Sequence, residues 1–330
     1  MKKKRIKVKH PIGVKLGAIF SSLVILVLGI TVALVYILFA NDQRVNAKSN
    51  TISLNETTAN AVQTKLQNIQ GSVNNYLNVI YVISEDEDFE QEQAMFFKEL
   101  CKVNQDLLFI YDSEAGYKAA PSFGNAYPSA KVNFEKWLAN NPSVRKSVLA
   151  GTVEIKDLSE NLGKPYVLGI LFANNGKLVC VGFDVEALKE TCFKNSNATY
   201  VVNSRGEPLI YEDNQTVLDA GLVPSFEIVK EVLDSNASNE YIFQDSQNNN
   251  WIYIRMNILD NTCSVITLAS ESSILKAINL TALRIIAFSV AVFFLAILII
   301  RFFSRSLTNP IEDLVAATHS IDKGNYNIHI

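Results

Sequence analysis

Histidine is scarce in this sequence of 330 residues, which contains only His10, His319 and His329. All three lie outside the stretch 41–281. Imidazole is the commonest metal ligand in proteins and a frequent general base near neutral pH. The long middle of the chain therefore lacks a histidine metal site and a histidine-dependent catalytic triad, and we predict no metal and no cofactor for it.

Cysteine is nearly as sparse, with four residues that are far apart and show no CxxC spacing: Cys101, Cys180, Cys192 and Cys263. Cys180 lies in an apolar, strand-like run, which favours a buried thiol. A disulfide between Cys180 and Cys192 is the alternative that spacing alone leaves open.

Enzyme motifs are missing as well. The sequence contains no nucleotide-binding motif, no kinase histidine box and no metal-ligand cluster. Such motifs carry their chemistry through fixed spacings of glycine, lysine, histidine or cysteine. Taken alone, the chain is therefore predicted to have no catalytic residue, and whether it is part of an enzyme stays open.

Basic residues are outnumbered in the middle of the chain. Between residues 41 and 281 there are 19 lysines and arginines against 30 aspartates and glutamates, a formal net charge of −11. Nucleic-acid backbones are bound by positively charged surfaces. We therefore predict no nucleic-acid partner for this region.

Two long apolar runs give the chain its slightly positive mean hydropathy of +0.14. The first, Leu16–Ala40, has 25 residues and no charge, and the second, Ile285–Ile300, is flanked by Arg284 and Arg301. About 20 apolar residues span a bilayer core, so we predict membrane helices at 16–40 and 283–303. A cleaved signal peptide is the alternative for the first run, but its apolar region is usually only about 7–15 residues long.

Lysine and arginine are concentrated at both chain ends. Seven of them precede the first run, and Arg301 and Arg305 follow the second. Because cytoplasmic loops carry the excess of basic residues, we predict a cytoplasmic N-terminal segment 1–15, a cytoplasmic C-terminus and a middle region 41–282 outside the membrane.

A long helix is predicted at 44–84, which has no proline and only one glycine, Gly71. Its apolar residues recur in alternating steps of three and four, which is a heptad pattern. Such a seam requires a partner, and we expect both the same helix of a second chain, in a homodimer, and the adjoining domain. The seam consists of Ala59, Val62, Leu66, Ile69, Val73, Tyr76, Ile80 and Ile83.

The remainder of the middle region predicts two successive units of one design, at 90–194 and 195–270. Each has a strand and turn, then helix, then antiparallel strands, with an Asn175-Gly176 pair as the clearest hairpin signal. A helix is predicted at 133–149. Together these elements indicate an α+β fold.

This layout resembles the double Cache sensor of bacterial receptors over about 41–281. The stretches Gly163–Pro165, Asn175-Gly176 and Val181–Val185 are similar to the closing strands of the family's membrane-distal unit, and Tyr200–Gly206 is similar to the opening of its proximal unit. The resemblance implies two PAS-like antiparallel-sheet units, distal at 90–194 and proximal at 195–270, with a small-molecule ligand in the distal one.

The segment 304–330 resembles the first helix of a HAMP linker. Pro310 stands where that helix would begin, Leu314 and Ile321 fall on one apolar face, and Gly324 would end it. The resemblance implies that these residues relay a signal in a dimer, and an ordinary amphipathic helix is the alternative.

The resemblance also implies ligand residues. Amino-acid-sensing members carry arginine, tryptophan and tyrosine on a pocket helix and aspartate on a closing strand, which bind a carboxylate and an ammonium group. Here Trp137 and Asp184 match, but Glu135 replaces the arginine, so the usual carboxylate-binding group is absent. The alternatives are a core position for Trp137 and a helix cap for Asp184. Further candidates are Tyr111, Tyr166 and Asp157.

Taken together, these resemblances imply a two-pass sensory receptor of the bacterial inner membrane that binds a small extracellular ligand and relays through HAMP to an output domain beyond Ile330. The start of the chain around Pro11–Leu16 is similar to membrane-bound class III adenylate or guanylate cyclases of spirochaete type, so a nucleotide cyclase is the first expectation. A methyl-accepting chemotaxis receptor or a sensor histidine kinase is the alternative. An anchored structural or adhesion protein is the remaining hypothesis.

Overall fold

The computed structural model describes residues 12–83, 89–193, 198–215, 218, 224–234, 242–246 and 248–322. It divides into a terminal unit, consisting of the chain up to Val45 and from Ser273, and a middle unit, Asn46–Ser272. The helices are α1 (Ile12–Ile83), α2 (Phe89–Val103), α3 (Pro121–Ala126), α4 (Ala130–Asn140), α5 (Pro142–Leu149), α6 (Ser159–Leu162), α7 (Glu186–Cys192), α8 (Phe226–Asp234) and α9 (Glu271–Asp322). The strands are β1 (Leu107–Asp112), β2 (Gly116–Ala119), β3 (Glu154–Asp157), β4 (Val167–Asn174), β5 (Lys177–Asp184), β6 (Ala198–Asn203), β7 (Pro208–Ile210), β8 (Ile242–Gln244), β9 (Asn250–Ile258) and β10 (Cys263–Ser270).

The terminal unit contains two helical segments that are long and apolar enough to cross a membrane. They lie within Gly17–Val82 and Ile274–Phe302, and their most apolar windows have mean hydropathies of 3.0 and 2.8 with no residue buried. Apolar side chains that no protein atom covers are favourable in a lipid environment and unfavourable in water. The predicted membrane segments therefore coincide with the two exposed apolar stretches of the structure.

The two long helices are continuous across the predicted segment boundaries. The segments 16–40 and 44–84 belong to one helix, α1, whose description ends at Ile83. The predicted return helix, second membrane segment and relay helix are likewise one helix, α9. Pro310 lies inside α9 rather than at a helix start. A proline removes only one intrahelical hydrogen bond, at a cost of about 3 kcal/mol, and the helix continues through it.

The remaining relay residues divide into described and undescribed ones. Leu314 is exposed on α9. Ile321 lies on the same helix, but its side chain is outside the described set, and Gly324 lies outside the described residues altogether. Their relay role stays a prediction.

The middle unit contains two five-stranded antiparallel sheets with the same topology. The first sheet has the order β2-β1-β5-β4-β3 and the second has the order β7-β6-β10-β9-β8. Each sheet thus places its first and last strands side by side at the centre. The predicted repetition of one α+β unit is confirmed, as is the hairpin at Asn175 and Gly176, whose φ angles of 50° and 75° suit a two-residue turn between β4 and β5.

The single helix predicted at 133–149 is wrong, because the structure has two helices there. Asn141 separates α4 from α5 with φ −121° and ψ 59°, outside the helical region. The next residue is Pro142, whose ring disfavours helical geometry at the residue before it. Proline then begins α5, where its missing N–H is not needed.

The predicted heptad seam of α1 lies inside the chain's own core. Its residues from Ala59 to Ile80 are 0–7% exposed and pack in one cluster with both sheets, including Val181 of the first and Val265 of the second. Ile83 has no described side chain. Since the seam is covered by its own domain, a homodimer requires another surface, and the predicted homodimer stays a prediction.

Asn55 joins α1 to the second sheet through a polar contact within this apolar setting. Its side chain is fully buried, and Nδ2 lies 3.0 Å from the carbonyl oxygen of Val265 and 3.0 Å from Oγ1 of Thr267. Thr267 also lies 3.0 Å from Oγ1 of Thr199. A buried amide donor without a partner would lower the stability of the protein. These contacts therefore favour one position of α1 along β10.

Truncation of the seam tests its burial. We expect Leu66→Ala to lower the free energy of unfolding by about 2–5 kcal/mol, because it leaves a cavity between α1 and the sheets. Asn68→Ala, at an exposed position two residues further on, is the matched control and should change it by less than about 0.5 kcal/mol. Thermal or denaturant unfolding of the full chain in detergent measures both, and equal stability of the two variants would contradict the packing.

Candidate functional site

Aromatic rings occupy the face of the first sheet that is covered by α3–α5. The ring of Phe109 lies directly on Gly182, where any Cβ would overlap it. It stacks on Tyr117 with centroids 4.9 Å apart and meets Phe134 at 5.2 Å. Glycine at position 182 therefore makes room for an aromatic side chain of the protein itself.

Two of the predicted ligand residues belong to this aromatic cluster. Tyr111 and Trp137 both contact the ring of Phe134, with centroid distances of 5.2 and 5.8 Å. Both are only partly buried and pack against the same core. At the neighbouring Gly169, a Cβ would lie 2.5 Å from Cδ1 of Leu158. These contacts are packing contacts, and ligand binding by Trp137 and Tyr111 stays a prediction.

Asp184 has two partners within the protein. Its Oδ1 accepts the backbone N–H of Glu186, the first residue of α7, at 2.8 Å, while Val185 is the N-cap residue of that helix. Its Oδ2 accepts from Nζ of Lys164 at 2.5 Å, and the two side chains are only 22% and 16% exposed. A ligand ammonium group would have to displace Lys164, and ligand binding by Asp184 stays a prediction.

The other two predicted residues, Tyr166 and Asp157, line a common cavity of about 100 Å³ between the first sheet and β7, which we call the junction cavity. Tyr166 has a left-handed φ of 60°, an uncommon conformation for a bulky residue. Asp157 accepts the backbone N–H of Ser159, the first residue of α6, at 2.9 Å.

Lys189 of α7 dominates the electrostatics of the junction cavity. Its Nζ donates to the hydroxyl of Tyr166 at 3.0 Å, forms an ion pair with Asp213 and lies 3.6 Å from Oε1 of Glu212. Burial alone would lower the pKa of Lys189, but these hydrogen bonds and negative charges outweigh it and raise the pKa above its usual value. The ammonium group thus stays charged at neutral pH and links α7 to the segment after β7.

The junction cavity is too small for an ordinary ligand. Small-molecule sites usually measure about 300–1,000 Å³, whereas 100 Å³ corresponds to roughly three water molecules at about 30 Å³ each. The nearby carboxylates of Asp213 and Glu212 already have the ammonium group of Lys189 as their cation. We conclude that Lys189 and its partners hold α7 against the segment after β7.

A second set of charges joins the edges of the two sheets. Arg205, in the turn after β6, donates to Glu154 of β3 at 2.7 Å, and Lys156 pairs with Glu207. Nδ2 of Asn203 donates to Oε2 of Glu207 at 2.6 Å. Burial alone would raise the pKa of Glu207, but these hydrogen bonds and the nearby cations lower it below its usual value.

A larger open groove of about 750 Å³ lies elsewhere in the middle unit. One wall is the face of α1 that carries Gln63, Gln67 and Gln70, and we call the cavity the glutamine groove. The other walls are the 151–153 loop before β3 and the hairpin 257–262 between β9 and β10. The sequence analysis missed this groove, although glutamines at positions i, i+4 and i+7 share one face of a helix.

The four cysteines of the described residues are free thiols. All four thiols are unpaired, and Cys180, Cys192 and Cys263 are buried. Burial raises the pKa of Cys192 and of Cys263 to about 12, so neither is a thiolate at neutral pH. The predicted buried thiol at Cys180 is confirmed, and its alternative, a bridge to Cys192, is not formed.

No family model matches this chain, and no curated protein matches it. Three solved structures with a similar layout are ligand-binding domains of bacterial chemoreceptors. They are the Pseudomonas aeruginosa PAO1 amino acid chemoreceptor PctB with L-arginine (14% identity, TM-score 0.45, 69% of this chain and 89% of that one), the Campylobacter jejuni chemoreceptor Tlp3 (10%, 0.45, 71% and 98%) and the Pseudomonas fluorescens chemoreceptor CtaA with L-alanine (12%, 0.43, 68% and 97%). Similarity at this level assigns neither a family nor a ligand.

The aromatic packing on Gly182 is testable by a single methyl group. We expect Gly182→Ala to destabilise the protein strongly, by about 1–3 kcal/mol or more, because the new Cβ overlaps the buried ring of Phe109. Gly71→Ala is the matched control. No atom lies within 4 Å of its new Cβ, and alanine should stabilise the helix by about 0.5–1 kcal/mol. Unfolding midpoints of the two variants should move in opposite directions, and a neutral Gly182→Ala would show that the space is open.

The sheet-edge charges predict a pH-dependent contribution to stability. Since the pKa of Glu207 is lowered by folding, its ionised form stabilises the fold above its unfolded pKa, and this stabilisation is lost as the pH falls through the folded pKa. Wild type should therefore unfold at a higher temperature than Glu207→Gln at about pH 7, and the difference should narrow towards about pH 3 as the carboxylate is protonated.

The control for this effect is Glu99→Gln, which removes the exposed Glu99–Lys102 pair on α2. Exposed pairs contribute only about 0–1 kcal/mol, so this variant should unfold close to wild type at both pH values. A Glu207→Gln difference that persists at low pH would contradict the charge assignment.

Proposed function

We propose that the chain is a bacterial transmembrane sensory receptor whose middle unit binds a small molecule outside the cytoplasm. The observation that carries this proposal is the position of α1 in the core. The helix includes a membrane-length apolar segment, and further along it supplies the central apolar seam of a core shared by both sheets. A structural change in either sheet therefore acts directly on a helix that continues into the membrane segment.

The proposed mechanism is that the middle unit has two conformations and that ligand binding changes their relative populations. A ligand shifts such a balance only by its difference in affinity for them. The second sheet ends in β10, which is followed without a break by α9, the helix with the second apolar segment. Both covalent connections of the middle unit thus supply a path for the signal.

We propose a homodimer as the signalling species, with contacts along α1 and α9. The interface on α1 must use residues other than the buried seam. Val79 and Val82 offer exposed apolar side chains near the end of α1, with Val82 81% exposed. Pro310, Leu314 and Ile321 of α9 are proposed as the relay positions.

For the output we propose a nucleotide cyclase, supported by the resemblance of the Pro11–Leu16 region and of the HAMP-like segment 304–330. The alternative is a chemotaxis receptor or a sensor histidine kinase, which use the same arrangement of membrane helices and relay. The gene sequence after codon 330 distinguishes them, because a cyclase domain, a methyl-accepting helical hairpin and a kinase histidine box differ in their motifs.

Cysteine labelling in intact cells tests the receptor topology. In a Cys101→Ser background, whose other thiols are buried, we expect Lys136→Cys on the exposed side of α4 to react with a membrane-impermeant maleimide. Lys7→Cys should react only after the inner membrane is permeabilised, because basic segments are retained in the cytoplasm. Labelling of Lys7→Cys in intact cells, or protection of Lys136→Cys, would overturn the proposed topology.

A further inference from the structure

The glutamine groove has the size of a small-molecule site. Its volume of about 750 Å³ lies within the range of about 300–1,000 Å³ that such sites occupy. It also lies where three elements come together: the 151–153 loop before β3, the hairpin between β9 and β10, and α1. Ligand sites occur preferentially at such meeting points, since one ligand there contacts several elements at once.

Neutral polar groups dominate the lining of the groove. Three glutamines of α1 face Asn257 and Asn261 of the hairpin, and Thr152 and Thr262 add hydroxyl groups. Among its described lining residues the groove has no lysine, arginine or histidine and one carboxylate, Asp260. An anionic ligand would meet no positive charge there, in a region whose formal net charge is −11.

The glutamine amides have unused hydrogen-bonding capacity. Gln63 and Gln70 are half-buried and Gln67 is exposed, and none of the three makes a side-chain hydrogen bond to another described residue. Each amide offers two donors and one acceptor oxygen. A ligand that satisfies all three must therefore present donors and acceptors together, as a set of hydroxyl groups does.

The opposite wall is held in place by its own contacts. Oδ1 of Asn257 accepts from Oγ of Ser264 at 2.7 Å across the β9–β10 pair, so the Asn257 amide nitrogen remains able to donate. Ile170 and Val153 add an apolar surface next to the glutamines. A pyranose ring combines hydroxyl groups at its edge with an apolar C–H face, and this wall offers partners for both.

We propose that the glutamine groove binds a neutral polyhydroxylated molecule, a monosaccharide or polyol. The inference rests on the proposed sensory function and names its ligand class and its site. The charged junction cavity and the aromatic cluster take no part in it. The groove places the ligand against α1, the helix that the proposed signal follows.

Calorimetric titration of the full chain in nanodiscs tests the proposal. The probes are D-glucose, D-galactose, D-mannose and glycerol, with L-alanine, L-lactate and putrescine as zwitterionic, anionic and cationic comparators. We expect at least one of the four polyhydroxylated probes to bind wild type. The double variant Gln67→Leu/Gln70→Leu should bind it at least about tenfold more weakly, since each lost hydrogen bond removes part of the affinity.

The matched control is Asn68→Leu/Asn75→Leu, which replaces two exposed amides of the same helix outside the groove. It should bind the probe like wild type, and unfolding midpoints without ligand show whether each variant is folded. Equal affinity of the two double variants would overturn the site. Binding of a charged comparator alone, or of no probe, would overturn the ligand class, while the labelling experiment decides the receptor topology separately.

Discussion

The burial of one face of α1 against both sheets is the interaction on which the middle unit depends. The two sheets repeat one topology, and each has a core cluster of its own on one face. Residues of both sheets also share a third cluster with the seam from Ala59 to Ile80. Full burial of each large apolar side chain contributes about 1.5–3 kcal/mol. The helix α1, which begins with a long apolar stretch, is therefore a core element shared by both sheets.

The sequence predicts the repeated units well because their signals are local. The Asn175-Gly176 hairpin and the alternation of apolar runs with turns are patterns of residues that are close together in sequence. They suffice to locate the strands. The break between α4 and α5 has a local signal as well, since Pro142 disfavours helical geometry at Asn141, but the prediction of one helix at 133–149 overlooked it. What spacing does not reveal is the partner of a helix. A heptad pattern is the same whether it faces a second chain or a sheet of its own chain, and only the fold decides the matter.

The candidate site is harder to predict because its groups are distant in sequence. Lys189 meets Asp213, and Arg205 meets Glu154, through the docking of two units that no local pattern describes. Trp137 and Asp184 were identified from a resemblance, and the structure gives each of them partners within the protein. Phe109 explains why the first sheet has Gly182 opposite it, and neither residue belongs to a recognisable binding motif. The glutamine groove depends likewise on a hairpin almost 200 residues further along the chain.

The strengths of these contacts indicate which of them a ligand could rearrange. Detaching α1 from the sheets would expose many fully buried side chains, at about 1.5–3 kcal/mol each, and would leave the buried amide of Asn55 unpaired. Each ion pair at the sheet edges joins a mostly buried side chain to one that is about half exposed, so water partly screens it. A ligand with micromolar affinity has about 8 kcal/mol of binding free energy, of which a part distinguishes two states. That part is comparable with the edge contacts and far smaller than the burial of the helix face. Under the proposed sensory function, the ligand therefore changes how the two sheets meet while both remain attached to α1.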